Sequence, residues 1–458
     1  MMLLLSEAAK ATSGQLLGED VAFDAVTSDS RAIRAGDLFV ALPGERFDGH
    51  DFVADCFKAG ASAAMVAREV PGGGPQLLVE DTRAGLRALA GYWRRKFDLP
   101  VVAVTGSNGK TTVKEMLASI LAAAAGSADA VLATRGNLNN DIGVPLTLLR
   151  MRADQRYAVV EMGMNHPGEI AVLTRIARPT VAIITNAQPA HLEGLGSVEE
   201  VANAKAEIFQ GLAAYGTAVI NADDVFAPMW LHAAAPRKVL TFGLNQSADV
   251  SAEYFQREDC ILLRLQTPQG LAQIRLPVLG RHNVYNAMAA AAAALAMLVP
   301  LPQIIAGLES FSGVKGRQQR KAGKGGATII DDTYNANPAS VSAAINVLAA
   351  QRGKRILVLG DMGELGEQAE RRHTDAGDNA MRAGIDRLMT LGELTARSAQ
   401  AFGAGATHYA SIEELVAALK PELGPDTTVL VKGSRFMRME RVVALLTEDQ
   451  ERSDEHAA

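Results

Sequence analysis

The densest chemistry in this sequence sits at Gly106-Ser107-Asn108-Gly109-Lys110-Thr111-Thr112. The apolar run Val101–Val104 leads into it. Val113, Met116, Leu117, Ile120 and Leu121 follow at helical spacing. Strand, glycine-rich loop, Lys-Thr and helix, in that order, describe a phosphate-binding loop. Its glycines let backbone N–H groups turn toward phosphate oxygens, and the helix N-terminus adds partial positive charge. Lys110 is positioned to reach the terminal phosphates of ATP, and the Thr111 hydroxyl to ligate Mg²⁺. The usual pattern is G-x-x-x-x-G-K-T, but Val104 stands where its first glycine belongs. Gly106 is the nearest substitute, so the loop is a shorter variant. A glycine turn with a solvated lysine is the bland alternative, and the flanking strand and helix argue against it.

A second signal is a lysine on an apolar face. Ser197-Val198-Glu199-Glu200 has capping-box spacing. The helix it opens puts Val198, Val201, Ala202, Lys205, Ile208, Phe209 and Leu212 on one stripe. A lysine there snorkels, joins a buried ion pair, or is desolvated with a lowered pKa. A neutral amine can take up carbon dioxide as a carbamate, which is an oxygen ligand for a metal.

Acids, amides and histidines collect at strand ends. Glu161 ends the run Tyr157–Val160, and His191 follows the run Val181–Ile184 after a short loop. In an open parallel sheet the carboxyl ends of strands face the ligand crevice. That puts Glu161 and His191 within reach of a magnesium ion at Thr111, with Glu161 the better ligand because hard Mg²⁺ prefers oxygen. Asn283 is either the N-cap of an alanine-rich helix or a ligand contact. Asp332 and Tyr334 lie at another strand end, where Asn337 and Pro338 have the spacing of an N-cap and first helical residue. Arg317, at a segment junction, can reach across to phosphates. Lys432-Gly433-Ser434-Arg435 repeats the strand–glycine–helix form and could hold another anion.

The elements that must position these groups fall into three segments, as 458 residues suggest. Residues 1–99 alternate short strands and helices. Residues 100–314 begin as strands and helices in alternation, the form of a parallel sheet with helices on its faces. From Lys238 to Leu279 the pattern becomes alternating strands, read as an antiparallel flank, and helices follow around Asn283–Leu298 and Pro302–Phe311. Residues 315–458 form a doubly wound α/β unit without the G-x-G-x-x-G of a nicotinamide site, and end in an acidic tail. The expected class is α/β throughout: a small N-terminal domain, a central phosphate-loop ATPase domain and a C-terminal Rossmann-like domain.

Composition bounds the rest. A net charge of −6, from 45 basic and 51 acidic residues, argues against a general affinity for nucleic acid or anionic membrane. Two distant cysteines make neither a disulfide framework nor a zinc site. The apolar runs are too short for a signal peptide or a span. The expectation is a cytoplasmic protein without a membrane anchor.

Taken together, these stretches resemble the Mur ligase family. The resemblance spans nearly the whole chain, all but the acidic tail. It is carried by Ser28-Asp29-Ser30-Arg31, Gly36 to Leu42, Gly49-His50-Asp51-Phe52, the shortened phosphate loop, Gly136 to Pro145, Glu161 to Glu169 and Ala190 to Gly194. Lys205-Ala206-Glu207-Ile208, His282 to Ala287, Asp331 to Asn337, Gly360 to Gly366 and Lys432 to Arg435 complete it. The resemblance implies domains for a UDP-linked substrate, for ATP and for an amino substrate. It implies that Lys205 is the carbamylated lysine and that Glu161 and His191 are magnesium ligands. Lys110, Lys205 and His191 then form the catalytic set, and Asn283, Arg317, Asp332 and Tyr334 contact ATP. Ser28, Ser30, Arg31, Arg46, Phe47, Asp48, Gly49 and His50 fall at the uridine diphosphate end. Asn137, Asn139 and Asn140 join the substrate contacts.

Within the family, Asp331 to Asn337 resembles the members that add D-Ala-D-Ala to UDP-N-acetylmuramoyl-tripeptide. Members that add diaminopimelate carry Asp-Asn-Pro-Arg, which is missing here. Folylpolyglutamate synthases share the central fold, but their first segment is unlike this one. A GTPase would need Asn-Lys-x-Asp where this chain has Asn186-Ala187-Gln188-Pro189. A silent regulator should have lost Lys110, Glu161, Lys205 or Asp332, and all are present. A monomer is the simplest assembly.

Overall fold

The computed structural model describes residues 1–72, 74–189 and 195–447. His191 and the acidic tail after Thr447 lie outside them.

The strand Val101–Thr105 lies inside a six-stranded, all-parallel sheet. In spatial order its strands are Lys238–Phe242, Thr217–Asn221, Val181–Ile184, Val101–Thr105, Tyr157–Glu161 and Val131–Ala133. These strands read as continuous apolar runs because both faces are buried. Val102, Val104, Val159 and Ile183 face the helices Lys110–Ala125, Arg281–Ala296 and Leu301–Glu309. Val101, Ala103, Val160 and Ile184 face the other core, which includes Leu86 and Leu89 of the helix Thr82–Arg94. Register sets the site: Glu161 pairs with Val104 and Ile184 with Thr105, so three strands end level with the phosphate loop.

Lys238–Phe242 is the parallel edge of this sheet, not part of an antiparallel flank. The antiparallel sheet comprises Ser251–Gln256, Ile261–Thr267 and Gly270–Leu276. Its buried residues Ile261, Leu263 and Leu265 join the core around the alanine-rich helix. That helix begins at Arg281 with Gly280 as cap, so Asn283 sits inside the first turn rather than at the N-cap.

A five-stranded sheet precedes these elements, in the order Gln15–Leu17, Gln76–Leu78, Ala63–Val66, Asp37–Val40 and Ala25–Thr27. All its pairings are parallel except that of Gln15–Leu17. The last unit is a six-stranded sheet ordered Gln319–Ala322, Thr328–Asp332, Thr427–Lys432, Lys354–Gly360, Arg387–Leu391 and Ala406–Tyr409. Its helices cover both faces, giving one core around Val341, Ala376 and Ala380 and another around Leu415 and Val443. Both edge strands, the first of them antiparallel, escape the sequence pattern because they are four residues long and have no buried residue.

Candidate active site

Two glycines of the phosphate loop are required by close approach. Gly106 has φ +150°, and a Cβ there would lie 1.8 Å from Thr185 Oγ1. Gly109 has φ +84°, and its Cβ would lie 2.4 Å from Asn286 Oδ1. Between them Asn108 ties the loop down. Its backbone N–H donates to Asn186 Oδ1 at 3.0 Å, and its carbonyl accepts from Thr185 Oγ1 at 2.6 Å. Its Nδ2 donates to Gln188 Oε1 at 2.7 Å. Thr112 follows Thr111 in the first turn of the helix. Lys110 Nζ folds back onto the Gly106 carbonyl at 2.6 Å. Burial lowers its pKa, nearby Glu161 opposes that, and Arg317 adds to it.

Glu161 is buried at the end of its strand. Its backbone N–H donates to Thr134 Oγ1 at 2.9 Å, and its Oε1 accepts from Asn139 Nδ2 at 2.9 Å. Oε2 is buried without a hydrogen-bond partner among the described residues. A carboxylate oxygen held open in this way, in the same cavity as Thr111, fits a hard oxygen-seeking cation. Among the described residues no three His, Cys, Asp or Glu side chains cluster as a self-sufficient metal cage. This donor set suits magnesium, which is commonly bound by one or two carboxylates plus phosphate oxygens and water.

Lys205 lies in the helix Val198–Ala206, whose N-cap Ser197 accepts from Glu200 N–H. Its side chain is 2% exposed and has no hydrogen-bond or ion-pair partner among the described residues. Burial, and then the positive charge of nearby Lys110, drive its pKa well below the usual lysine range. The shift favours the neutral, nucleophilic form of the amine.

The C-terminal segment closes the other side. Arg317 stacks over the Tyr334 ring at 4.1 Å and donates through Nη2 to Thr111 Oγ1 at 2.9 Å. Asn337 caps the helix Pro338–Ala349 by accepting from Ser340 N–H, and its Nδ2 donates to Asn108 Oδ1 at 2.9 Å. Asp332 is buried, and its pKa is raised by burial against the pull of Lys432. Lys432 Nζ donates to Asp332 Oδ2 at 2.8 Å and to the Asn335 carbonyl at 2.9 Å. Lys432 is thus committed to the fold, and Arg435 pairs with Glu440 at 3.1 Å. Lys432, Ser434 and Arg435 nevertheless line the same cavity as the phosphate loop. Asn283 Nδ2 donates to the Leu279 carbonyl at 2.7 Å, and its Oδ1 accepts from Asn286 at 3.0 Å.

One cavity of about 2300 Å³ is lined by the phosphate loop, Asn137, Asn139, Asn140, Glu161, Asn283, Arg317, Asp332 and Tyr334. Among these, Asn139 is engaged with Glu161, and Asn140 Oδ1 accepts from Gly143 N–H at 2.8 Å to hold its own turn. The first-segment candidates are not in its lining. Ser28, Ser30 and Arg31 follow the strand Ala25–Thr27, and residues 46–50 follow the adjacent strand Asp37–Val40. Both groups therefore lie at the carboxyl edge of that sheet. Arg31 is exposed and pairs with Asp29 at 2.8 Å, while Arg46 and Phe47 are exposed. His50 is buried. Ala67 N–H donates to its Nε2 at 2.8 Å, which leaves the ring proton on Nδ1 facing Asp48 at 2.6 Å. Gly49 cannot carry a Cβ, which would meet Leu42 N at 2.6 Å.

Sequence reasoning missed the partnership of Asn139 with Glu161 and that of Asn337 with Asn108. It also passed over Asn286, for which a signal existed: it lies three residues after Asn283, on the same helix face.

Comparisons with known proteins agree with this geometry. The family description "Mur ligase middle domain" matches residues 104–294. "Mur ligase, glutamate ligase domain" matches residues 316–435, and "Mur ligase family, catalytic domain" residues 22–83. The chain is 43% identical over 449 residues to the UDP-N-acetylmuramoyl-tripeptide--D-alanyl-D-alanine ligase of Escherichia coli K12, covering 97% of this chain and 98% of that protein. It is 36% identical to the Bacillus subtilis enzyme of the same name, covering 97% of each. The crystal structure of MurF from Acinetobacter baumannii superposes with a TM-score of 0.91 at 38% identity, over 97% of this chain and 98% of that one. MurF ligase from Thermotoga maritima in complex with ADP superposes with a TM-score of 0.80 at 30% identity, over 92% and 96%. With this identity across almost its whole length, the chain belongs to the Mur ligase family.

Proposed function

We propose that this enzyme uses ATP to join D-alanyl-D-alanine to UDP-N-acetylmuramoyl-tripeptide, a step of peptidoglycan precursor synthesis. The observation that carries the proposal is one cavity with two chemically different walls. The phosphate loop and the open Glu161 oxygen form one wall, and the Arg317, Asp332 and Asn337 region forms the other. The carboxylate of the tripeptide attacks the γ-phosphate, giving an acyl phosphate and ADP. The dipeptide amine then attacks the acyl carbon, forming the amide and releasing phosphate.

Such transfers depend on positioning and charge neutralisation. Lys110 exchanges the Gly106 carbonyl for phosphate oxygens, and Arg317 leaves Thr111 for the nucleotide. Asn283, Asp332 and Tyr334 contact ATP. Thr111 and Glu161 would hold one magnesium ion, and a Lys205 carbamate with His191 a second. Bound there, magnesium supplies positive charge at the reacting oxygens. Closure of the two walls over the acyl phosphate would keep water from it.

In this reading residues 1–99 hold the uridine diphosphate end through Ser28, Ser30, Arg31 and the loop 46–50. Residues 100–314 hold ATP, and 315–458 receive the dipeptide. The reading includes action as a cytoplasmic monomer. Among the described residues no helix is long and apolar enough to cross a membrane.

The test is phosphate release from ATP and Mg²⁺ by purified protein with UDP-N-acetylmuramoyl-tripeptide, with and without D-Ala-D-Ala, and the mass of the product. Release that needs both substrates, with a pentapeptide product, supports the proposal. Product formed instead from UDP-N-acetylmuramoyl-dipeptide and a free diamino acid reassigns the chain to a sister activity. Nucleotide binding without turnover refutes both.

A further inference from the structure

The phosphate loop and the C-terminal segment meet through few polar contacts, and one of them has an unusual division of labour. Asn337 is 229 residues from Asn108 in sequence, yet its Nδ2 donates to Asn108 Oδ1 at 2.9 Å. Its own Oδ1 is occupied elsewhere, accepting from Ser340 N–H at 2.9 Å as the helix cap. Its backbone N–H donates to Ser340 Oγ, also at 2.9 Å. One side chain thus fixes the start of a C-terminal helix with its oxygen and grips the phosphate loop with its nitrogen. The grip is taut at both ends. Asn108 is held by Asn186, Gln188 and Thr185, and the chain before Asn337 is held where Lys432 binds Asp332 and the Asn335 carbonyl.

We propose that Asn337 is a positioning residue that locks the amine-receiving wall to the phosphate loop, so that the acyl phosphate meets the dipeptide amine rather than water. This rests on the ligase reading above. The acyl phosphate has two fates. Attack by the amine forms the C–N bond and breaks the C–O bond to phosphate, releasing phosphate and a proton. Attack by water gives back the carboxylate, again with phosphate and a proton. Both consume one ATP, so the ratio of amide formed to phosphate released reports which fate wins. Loss of the lock lets the walls part and favours water.

The chemistry of asparagine allows the two duties to be separated. Asn337→Asp keeps an excellent N-cap, since aspartate caps as well as asparagine and its charge suits a helix N-terminus. It removes the donor and turns a carboxylate toward Asn108 Oδ1. Asn337→Ser also caps, but is too short to reach Asn108. Wild-type protein and both variants are given ATP, Mg²⁺, UDP-N-acetylmuramoyl-tripeptide and D-Ala-D-Ala, and amide and phosphate are counted in the same reaction. Thermal melting is followed in parallel.

The wild type is expected to form about one amide per phosphate, as the proposed reaction requires. In both variants the ratio falls about fivefold, the factor given by one ordinary net hydrogen bond, while melting temperature is kept. Variants that retain the wild-type ratio overturn the proposal. So do variants in which amide and phosphate fall together at constant ratio, because Asn337 then serves the ATP site or the fold. If Asn337→Asp does not fold, Asn337→Ser decides. Failure of the wild type to make amide refutes the ligase reading, and is thereby told apart from failure of the lock.

Discussion

Replacing Lys205 with methionine should make the protein more stable and nearly inactive. Methionine keeps the length of the apolar thread and removes only the amine. The residue is 2% exposed and burial drives its pKa down, so the fold bears the cost of desolvating that amine. Such a group costs about 1–3 kcal/mol. Its removal should raise the melting temperature by roughly 2–4 °C per kcal/mol if a unit of about 200 residues melts together. The sign with pH follows from linkage. Burial and Lys110 hold the native pKa below 10.5, so between that depressed value and 10.5 the unfolded chain binds more protons. Wild-type stability therefore rises with pH across that window, and the advantage of Lys205→Met shrinks toward pH 10.5. Melting should be measured in carbon dioxide-free buffer, where the amine is unmodified. Activity should fall by about 10²-fold or more, the usual scale for losing an electrostatic contribution to the transition state. Small carboxylic acids should partly restore a Lys205→Ala enzyme. A Lys205→Met protein that melts lower than the wild type, or a Lys205→Ala protein fully active without added acid, would refute this reasoning.

Asn139→Ala frees Glu161 Oε1 and should raise the Mg²⁺ concentration for half-maximal activity about 10–100-fold, as loss of a ligand's supporting partner does. An unchanged Mg²⁺ requirement with a raised KM for the uridine substrate would return Asn139 to substrate binding. Gly106→Ala forces a Cβ to 1.8 Å from Thr185 Oγ1 and should abolish nucleotide binding, measured by titration with fluorescent ADP; retained affinity would mean the loop tolerates a shift. Lys432→Met leaves Asp332 buried without its counter-charge and should destabilise by about 3–5 kcal/mol. The Asp332→Asn, Lys432→Met double variant should recover most of that in denaturant melts. A double variant no better than the single one would rule out the charge imbalance as cause.

The phosphate loop was legible because strand, turn and helix are contiguous, so local pattern alone defines it. The capping box and apolar stripe likewise placed Lys205 inside a core. The parallel sheet followed from alternation, and the level strand ends made Glu161 a candidate. Other features depend on partners far away in sequence. Nothing local says that Asn139 spends its amide on Glu161 or that Asn337 reaches Asn108. Lys432 looked like an anion site because its strand–glycine pattern is visible, whereas its counter-ion, Asp332, is 100 residues away. His50, a candidate substrate contact, also ties its own loop to Ala67, a partner 17 residues away that local pattern does not show. The start of the alanine-rich helix was misread because Asn283 is a good cap by type, while Gly280, with φ +91°, ends the extended chain earlier.

That helix has a mechanical consequence. From Ala287 to Ala294 it is buried and, apart from Met288, made of alanine. Alanine has no rotamers to freeze and is the best helix former, so ordering this rod costs little beyond its backbone. Neighbours can press directly on its surface with no side chain to yield. Asn283 and Asn286 stand at one end of it, Asn286 against Gly109. Side-chain motion elsewhere in the core is therefore poorly transmitted to the nucleotide floor. The amides of this rod should be among the last to exchange with deuterium, while those of the exposed residues Arg46 and Phe47 exchange early.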